Sequence, residues 1–337
     1  MQTTEMVFTR PGEPESLARR TRELGAVEPG YARIRVEATG VSAAEQAMRR
    51  GKYYQQPPFP LVPGYDLVGI VEELGTPDDR VPVGTRVAAL TKTGGWASQV
   101  LRPAAGLVPV HDPLTAAEAE TVITNGLTAL RVLRRIDAPA GATIVVLGAT
   151  GGVGSILVQL ALHAGLRVIG VASTVQQQRL REHGVIPVDY RRDDVAGRVR
   201  ELAPHGVAGV VDHIGGPGIA GSWRMLAPRG VLVSLSDAGV LHAAHPLTYF
   251  MRHYLRLQLW NLLPNRRRAH FFDLWAGRKN TEAFHHDLHR DLTELFGLLA
   301  AGTLTSPIDS TYSLADAGIA LRRAENGGIA GKIILAP

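Results

Sequence analysis

The sequence predicts a two-domain α/β protein, with a β-rich, barrel-like first part and a second part in which strands and helices alternate. In the first third, short runs with strand character are separated by frequent glycine and proline, as in the loop PPFPLVPGYD at residues 57–66. Beyond about residue 115, apolar strands alternate with helices, which is typical of a parallel sheet covered on both faces. A chain of 337 residues is also longer than one hydrophobic core usually supports.

The elements are predicted in chain order from periodicity and turn residues. Early strands are expected at 32–41, 65–74, 84–91 and 96–103. Their short, turn-separated form predicts an antiparallel, barrel-like arrangement. A helix with 3.6-residue periodicity is expected over 115–136. Later strands are expected at 143–148, 167–173, 206–215 and 230–236, with helices between them that include 152–164 and 191–202.

The end of the chain returns to the first pattern. Residues 246–300 are predicted to be helical, and the remainder is predicted as a strand, a helix and a final strand. This return to strands indicates that the C-terminus completes the first domain. We therefore assign residues 1–123 and 263–337 to one domain and residues 124–262 to the other.

The composition is that of an ordinary soluble globular protein, with 45% hydrophobic residues and a formal net charge of +5. Apart from Arg266–Arg268 the arginines are scattered, so the excess charge suits an anionic small molecule, and no nucleic-acid partner is expected. The absence of cysteine excludes disulfides, a thiolate nucleophile and cysteine-ligated zinc. No signal segment and no apolar run of ~18 residues is evident, which predicts a cytoplasmic protein without a membrane partner.

A glycine cluster between a predicted strand and a predicted helix carries the strongest chemical signal. The stretch LGATGGVGSILVQLALHAG (147–165) contains the pattern Ala149-x-Gly151-x-x-Gly154. Such glycines allow a tight turn, close approach of a pyrophosphate, and packing of the helix on the strand. The motif alone also occurs as an ordinary glycine-rich turn, but here the strand, the helix and the next strand follow in the required order. We therefore predict a Rossmann dinucleotide-binding domain.

The strand after this helix indicates which dinucleotide binds. An NAD site usually places Asp or Glu about 20 residues beyond the glycines, to hold the ribose 2′-hydroxyl. No acidic residue occurs between Gly154 and Glu182, and the expected place holds Ser173, Thr174 and Arg179. Hydroxyls and arginine suit a 2′-phosphate, which a carboxylate would repel, so NADPH is predicted. The alternative is that Arg179 is an ordinary exposed helix residue.

Motifs spread along the whole chain resemble one enzyme family. They are GVSAAEQAMRRGKY (40–53), PGYDLVGIVEELG (63–75), VGTRVAAL (83–90), NGLTALRVL (125–133), GATGGVG (148–154), VDYRRDD (188–194), HIGGP (213–217), PIDSTYSLADA (307–317) and GKIIL (331–335). In this order they resemble the zinc-independent quinone oxidoreductase branch of the medium-chain dehydrogenase/reductases, and within it the VAT-1 homologues. The resemblance implies a GroES-like β-barrel-type catalytic domain around a Rossmann domain, and a homodimer.

The glycine motif and the resemblance together give a set of candidate cofactor-binding residues. The family's usual lysine after Ser173 is absent, which leaves Arg179 as its substitute. The resemblance places Tyr190 near the adenosine phosphate, and Lys332 either near a phosphate or on the surface. The full set is Thr128, Ala149, Thr150, Gly151, Gly152, Val153, Gly154, Ser173, Thr174, Arg179, Tyr190, Gly215, Leu235, Ser236 and Lys332.

Four residues are candidates for the reaction itself. Ser42 and Glu45 stand where the resemblance has Asn and Asp, which alters the polarity of the substrate pocket. Tyr53 fills the position of a tyrosine that donates a proton in related enoyl reductases, and a phenol remains protonated at neutral pH. Packing of Tyr53 against the loop at 57–63, with solvent as the proton source, is the alternative. Asn125 is expected near the nicotinamide or the substrate carbonyl.

No metal is expected. The counterpart of the Gly-His-Glu motif of zinc-dependent relatives is Gly64-Tyr65-Asp66, and a site without those ligands has no Lewis acid to polarise an alcohol. One histidine-rich group falls on helical spacing without any further element of a zinc pattern, and it is predicted as an exposed helix face: Glu282, His285, His286 and His289.

The cofactor and the missing metal predict a reaction class. A bound NADPH delivers hydride to a carbon made electrophilic by conjugation, which favours reduction of a quinone or an activated C=C bond. A narrow-specificity biosynthetic enoyl reductase or reductive tailoring enzyme is the first alternative, with the aromatic segment 249–275 as part of its pocket. A non-catalytic NADPH-binding sensor or scaffold is the second.

Overall fold

A computed structural model describes residues 1–235, 243, 245–305 and 307–337, and these divide into two units. The first unit comprises Met1–Leu127 and Gly277–Pro337, and the second comprises Thr128–Ala276. Residues 263–276, assigned to the first domain from the sequence, thus lie in the second unit. The reason is that a strand at Arg268–Phe271 pairs with the parallel sheet of that unit.

The second unit is a six-stranded parallel sheet with helices between its strands. Its strands are β8 (Thr143–Leu147), β9 (Arg167–Ala172), β10 (Ile186–Asp189), β11 (Val207–Asp212), β12 (Leu226–Ser234) and β13 (Arg268–Phe271). They are ordered β10-β9-β8-β11-β12-β13. Its helices are α4 (Gly152–His163), α5 (Gln177–Glu182), α6 (Val195–Leu202), α7 (Ile219–Arg224) and α8 (Pro246–Trp260). The central strands β8, β9 and β11 are mostly apolar and buried, because helices cover both faces of the sheet there.

The first unit contains a seven-stranded sheet and a separate two-stranded hairpin. Its strands are β1 (Gln2–Val7), β2 (Ala18–Glu23), β3 (Tyr31–Val41), β4 (Asp66–Leu74), β5 (Arg86–Leu90), β6 (Gln99–Pro103), β7 (Leu107–Pro109), β14 (Ile308–Ser313) and β15 (Lys332–Ala336). The larger sheet runs β14-β15-β3-β4-β5-β7, with β6 also paired to β3. β15 pairs antiparallel with β3, so the C-terminus completes the sheet that the N-terminal part begins.

Five α-helices begin within the described residues of the first unit. They are α1 (Ala43–Arg49), α2 (Ala116–Thr121), α3 (Thr124–Ile136), α9 (Thr281–Ala300) and α10 (Ala317–Glu325). The single helix predicted over 115–136 is therefore two helices, α2 and α3. The predicted fold class, a GroES-like domain with a Rossmann-type domain, is confirmed. None of the described helices has both the length and the apolar character needed to span a bilayer.

Candidate functional site

The glycine turn lies between β8 and α4, at the carboxyl end of β8. Gly148 has a φ of 71°, a left-handed conformation that favours glycine. A Cβ atom on Gly154 would collide with the carbonyl oxygen of Gly148, so only glycine lets α4 pack this closely on the turn. α4 begins at Gly152, and its N-cap residue, Gly151, has no side chain that caps the first amides. The first turn of α4 can therefore donate N–H groups to an anion.

The strand order places this turn at the switch point of the sheet. From β8 the chain adds β9 and β10 on one side, and then β11, β12 and β13 on the other. Ligands of such sheets bind outside the carboxyl ends of the strands where the order reverses. β11 ends there with Asp212, whose Oδ1 accepts hydrogen bonds from the backbone N–H groups of Ile214 and Gly215 at 2.8 Å each. The carboxylate thereby fixes the loop that carries Gly215.

His213 is a residue at this switch point that the sequence analysis did not select. Its side chain packs against Gly148 of the glycine turn. Burial lowers the pKa of His213 to about 4, and the neighbouring Asp212 offsets this only in part. The imidazole is therefore neutral at physiological pH and adds no positive charge to a phosphate site. The sequence could have indicated His213, because it lies near the carboxyl end of the predicted strand 206–215, where ligands of such sheets bind.

The residues predicted for the adenosine end follow β9 and β10. Ser173 and Thr174 come directly after β9 and are half-buried, while Tyr190 follows β10 and is 51% exposed. Gln177 links the two strand ends, because its Nε2 donates to a carbonyl oxygen of each, at 2.9 and 3.2 Å. Arg179 lies on the same helix, α5, and is half-buried. The structure thus gathers this group of candidates at one end of the sheet.

Asp189 is an acidic residue at this end that the sequence analysis missed, because only the stretch before residue 182 was considered. It ends β10 in register with Ala172, the last residue of β9, so both lie at the same edge of the sheet. Hydrogen bonds from the hydroxyl of Thr174 and the backbone N–H of Arg191 lower the pKa of Asp189. The hydroxyl of Thr174 therefore donates to a carboxylate, and its contact with the cofactor stays a prediction.

The second unit fits a dinucleotide at the glycine turn. Ala149 is buried and Thr150 and Val153 are half-buried, and the space beside Gly154 that a side chain would fill is occupied by backbone. Leu235 follows β12, and its backbone N–H donates to a carbonyl oxygen of β11. Ser236, also predicted at this site, lies outside the described residues.

In the first unit, Ser42 and Glu45 form the N-terminal cap of α1. Glu45 accepts hydrogen bonds from the backbone N–H of Ser42, at 2.8 Å, and from its hydroxyl. The other oxygen of Glu45 accepts from the backbone N–H of Tyr65 at 2.8 Å. Glu45 is 1% exposed, and burial raises its pKa above the usual range. The prediction for Glu45 is thereby corrected, because its buried carboxyl group holds α1 and Tyr65 in place, while a substrate contact of Ser42 stays a prediction.

Tyr53 lies in the same part of the first unit and contacts Tyr65. The two phenol oxygens are 2.9 Å apart, and the rings meet edge to face with centroids 6.5 Å apart. The ammonium of Lys92 lies 5.9 Å from the centroid of the Tyr53 ring. Three of the four predicted catalytic residues, Ser42, Glu45 and Tyr53, are therefore linked through Tyr65, which the sequence analysis treated only as a departure from a metal motif.

Lys332, predicted to contact a phosphate or lie on the surface, is buried inside the first unit. Its Nζ lies 3.0 Å from Asp66 Oδ2 and 3.1 Å from Glu120 Oε1, and all three side chains are at most 2% exposed. We call these residues the Lys332 cluster. The ammonium is buried between the two carboxyl groups, so the predicted phosphate contact is corrected to a structural role.

The pKa values of the two carboxyl groups in the Lys332 cluster are shifted in opposite directions. Burial alone would raise the pKa of Asp66, but the Lys332 ammonium and hydrogen bonds from Glu120 and Thr124 keep it below the usual value. Burial and the charge of Asp66 raise the pKa of Glu120 well above the usual value. The surroundings therefore favour the carboxylate form of Asp66 beside the ammonium and oppose ionisation of Glu120.

Asn125 and Thr128 lie on α3, near its start. They are 6% and 8% exposed. The backbone N–H of Thr124, the first residue of α3, donates to Asp66 Oδ2 at 3.0 Å. The Lys332 cluster therefore fixes where α3 begins, and this determines the position of Asn125.

The histidine-rich group on α9 borders a surface cavity of about 620 Å³. Burial lowers the pKa of His285 and of His289, and the ring of His289 hydrogen-bonds to the carbonyl oxygen of Ala105 at 3.2 Å. Among the residues that the structure describes, no group of three or more possible ligands is arranged to hold a metal ion.

Comparisons with known proteins agree with this architecture. Residues 28–112 match the family model described as the alcohol dehydrogenase GroES-like domain, and residues 182–335 match the zinc-binding dehydrogenase model. The chain is 29% identical to the rat synaptic vesicle membrane protein VAT-1 homolog over 92% of this chain and 77% of that protein. It is 34% identical to a quinone oxidoreductase of Pseudomonas aeruginosa over 68% of this chain and 72% of that protein.

A solved structure of a mycobacterial protein in complex with NADPH is similar throughout. The TM-score is 0.85 at 28% identity, over 99% of this chain and all of the other. The fold and the glycine turn define a two-domain dinucleotide-binding oxidoreductase. The chain belongs to the medium-chain dehydrogenase/reductase superfamily, in the branch of the quinone oxidoreductases and VAT-1 homologues.

Proposed function

We propose that the protein is an NADPH-dependent oxidoreductase that reduces a quinone or an activated C=C bond without a metal. The observation that carries the proposal is the glycine turn, where Gly154 packs against the carbonyl of Gly148 and leaves the first amides of α4 open to a phosphate. The NADPH complex of a similar protein supports the same cofactor. Ser173 and Arg179, with no carboxylate at the end of β9 itself, support NADPH over NADH.

One set of residues would bind the cofactor, and another residue would supply the proton. The turn Ala149–Gly154 would hold the pyrophosphate, and Ser173, Arg179 and Tyr190 would contact the adenosine end. When bound, NADPH supplies a hydride. Tyr53 would hold the proton that completes the reduction, at its Oη.

The first test is a fluorescence titration with NADPH and NADH, followed by turnover with 9,10-phenanthrenequinone, an enone and an enoyl thioester. Tight NADPH binding with oxidation of the cofactor by one of these acceptors supports the proposal. Binding without turnover of any acceptor would favour a sensor or scaffold instead. A protein that binds neither dinucleotide would contradict the assignment of the glycine turn.

Arg179→Ala is expected to weaken NADPH binding by roughly 10- to 100-fold, because a charge-assisted hydrogen bond to a phosphate contributes about 1.5–3 kcal/mol. NADH, which lacks the 2′-phosphate, is expected to lose less than about threefold. The matched control is Arg181→Ala, since Arg181 is exposed on the same helix. Equal losses for both cofactors would show that Arg179 does not contact the 2′-phosphate.

We also propose that the protein forms a homodimer through the second unit. β13 is an edge strand whose single partner in the described ranges is β12, so its other side can pair with a second copy. α8 packs beside β13 and presents four exposed apolar side chains at intervals of four residues: Leu247, Met251, Leu255 and Leu259. A stripe of this kind is typical of an interaction surface.

Leu255→Glu is expected to convert a dimer into a monomer of 36.2 kDa, because it places a charge in the middle of this stripe. Sedimentation velocity at matched concentrations measures the change. Ile319→Glu, a similarly exposed apolar residue on α10, is expected to leave the dimer intact. A wild-type protein that sediments as a monomer would contradict the proposal.

A further inference from the structure

Tyr65 is a buried tyrosine whose hydroxyl lies beside the proposed proton source. It is 4% exposed and directly precedes β4. Its Oη is 2.9 Å from the Oη of Tyr53, a distance at which one phenol must donate to the other. Tyr53 is half-buried, whereas Tyr65 is covered, so Tyr53 is the member of the pair that can face a substrate.

The backbone of Tyr65 is fixed from both sides. Its N–H donates to the buried carboxyl group of Glu45, which the cap of α1 holds in turn. Its carbonyl oxygen accepts from the backbone N–H groups of Thr91 and Lys92, at 2.8 and 3.0 Å. A side chain on so constrained a backbone can orient its neighbour without reorganising.

The charge near the pair favours a phenolate on Tyr53. The Nζ of Lys92 lies 5.9 Å from the centroid of the Tyr53 ring and donates to Gln55 Oε1 at 2.7 Å. Other titratable groups next to the pair include Tyr54, whose ring centroid is 4.7 Å from that of Tyr53, and Glu45, whose carboxyl group accepts from the backbone N–H of Tyr65. The ammonium of Lys92 therefore provides a positive charge beside the ring of Tyr53.

We propose that Tyr65 is a positioning residue for proton transfer: its hydroxyl donates to Tyr53 Oη, so that the proton of Tyr53 points away from Tyr65 and toward the substrate. The inference rests on the proposed function. In the transfer, the O–H bond of Tyr53 breaks and a bond from that proton to the substrate forms, while the hydride supplies the electron pair of the other new bond. The phenolate left on Tyr53 is stabilised by the donated hydrogen bond and regains its proton from water.

Tyr65 is the central residue of Gly64-Tyr65-Asp66, the segment that replaces the Gly-His-Glu motif of zinc-dependent relatives. Where the motif of zinc-dependent relatives has a histidine, this chain has a phenol that contacts the proposed proton source. A position that binds a metal in those relatives would thus, in this chain, support a general acid formed by Tyr53 and Tyr65.

The test compares Tyr65→Phe, Tyr53→Phe and the double variant, with Tyr54→Phe as a neighbouring control. In the protein without cofactor, carbon-13 NMR of labelled tyrosine Cζ atoms follows each phenol through its titration. We expect Tyr65→Phe to raise the pKa of Tyr53, because the donated hydrogen bond stabilises the phenolate. An unchanged Tyr53 titration in Tyr65→Phe would overturn the proposal.

With an acceptor that the wild type reduces, Tyr65→Phe is expected to lower kcat by roughly 10-fold while KM changes by less than about threefold. Tyr53→Phe is expected to lower kcat by about 100-fold or more, and the double variant no further, since both act on one proton. Additive losses in the double variant would contradict the coupling. If no acceptor is reduced, the proposed function fails, whereas the NMR titration still decides whether the two phenols are coupled.

Discussion

Lys332→Met is expected to lower the free energy of unfolding by about 3–5 kcal/mol at pH 7, because it leaves Asp66 as a buried carboxylate without its ammonium partner. Lys332 and Asp66 are both at most 2% exposed, so water cannot replace the lost contact. Asp66 also accepts from the first amide of α3, and the start of this helix should loosen with it. Denaturant unfolding followed by circular dichroism measures the change.

The matched control for this prediction is Lys279→Met. It removes the same charge from an exposed position of the first unit, and is expected to alter the free energy of unfolding by less than about 0.5 kcal/mol. A loss at Lys332 no larger than the loss at Lys279 would contradict the assigned role of the Lys332 cluster.

Glu120→Gln tests whether ionisation of Glu120 affects the stability of the fold, because glutamine has nearly the same shape as glutamate but carries no charge. The pKa of Glu120 is raised in the folded state, so its neutral form stabilises the fold fully below the unfolded value of 4.5, and this contribution is lost as the pH rises through the raised pKa. Glutamine keeps the shape and cannot ionise. The variant is therefore expected to gain stability relative to the wild type as the pH rises above the unfolded value of 4.5. Parallel stability curves would show that Glu120 does not titrate in this range.

Gly152→Glu is expected to weaken NADPH binding by at least about 100-fold while the protein stays folded. Gly152 is the first residue of α4, and a glutamate there places a carboxylate next to the amides that would receive the pyrophosphate. Two unit charges about 4 Å apart repel by about 4 kcal/mol at an effective dielectric constant of 20, which corresponds to about a thousandfold in affinity. Fluorescence titration measures the affinity, and circular dichroism checks the fold.

Gly221→Glu provides the control for this substitution. Gly221 lies on α7 of the same unit, and a Cβ atom there would meet nothing within 4 Å. We expect it to change NADPH affinity by less than about twofold. Retained affinity in Gly152→Glu would show that the glycine turn does not hold the phosphates, and the assignment of the whole cofactor site would then fail.

Local sequence patterns were sufficient to locate the strand and the helix on either side of the glycine turn. The strand predicted over 143–148 is Thr143–Leu147, and the helix predicted over 152–164 is Gly152–His163. These predictions succeeded because spacing and glycine chemistry act between residues close together in the chain. The helix predicted over 115–136 was wrong in one respect, since it is broken between α2 and α3 where Asp66, more than fifty residues away in sequence, accepts from the amide of Thr124.

The errors in the site share a physical cause. Lys332 was expected near a phosphate, and Glu45 near a substrate, because each was judged from its neighbours in sequence. Both are buried against residues from other elements, where desolvation demands that every charge and donor finds a partner. Asp189 was missed because only the stretch before residue 182 was considered, whereas its position beside the end of β9 follows from strand pairing.

The sequence by itself determined the fold class, the Rossmann turn and the family of this protein, because each is encoded in short-range spacing repeated in order along the chain. The tertiary structure alone decided which polar groups meet. It joined Tyr53 to Tyr65, buried Lys332 between Asp66 and Glu120, and brought Asp189 to Thr174. These contacts depend on strand register and on the need to satisfy buried polar groups, and neither can be calculated from the order of residues within one segment.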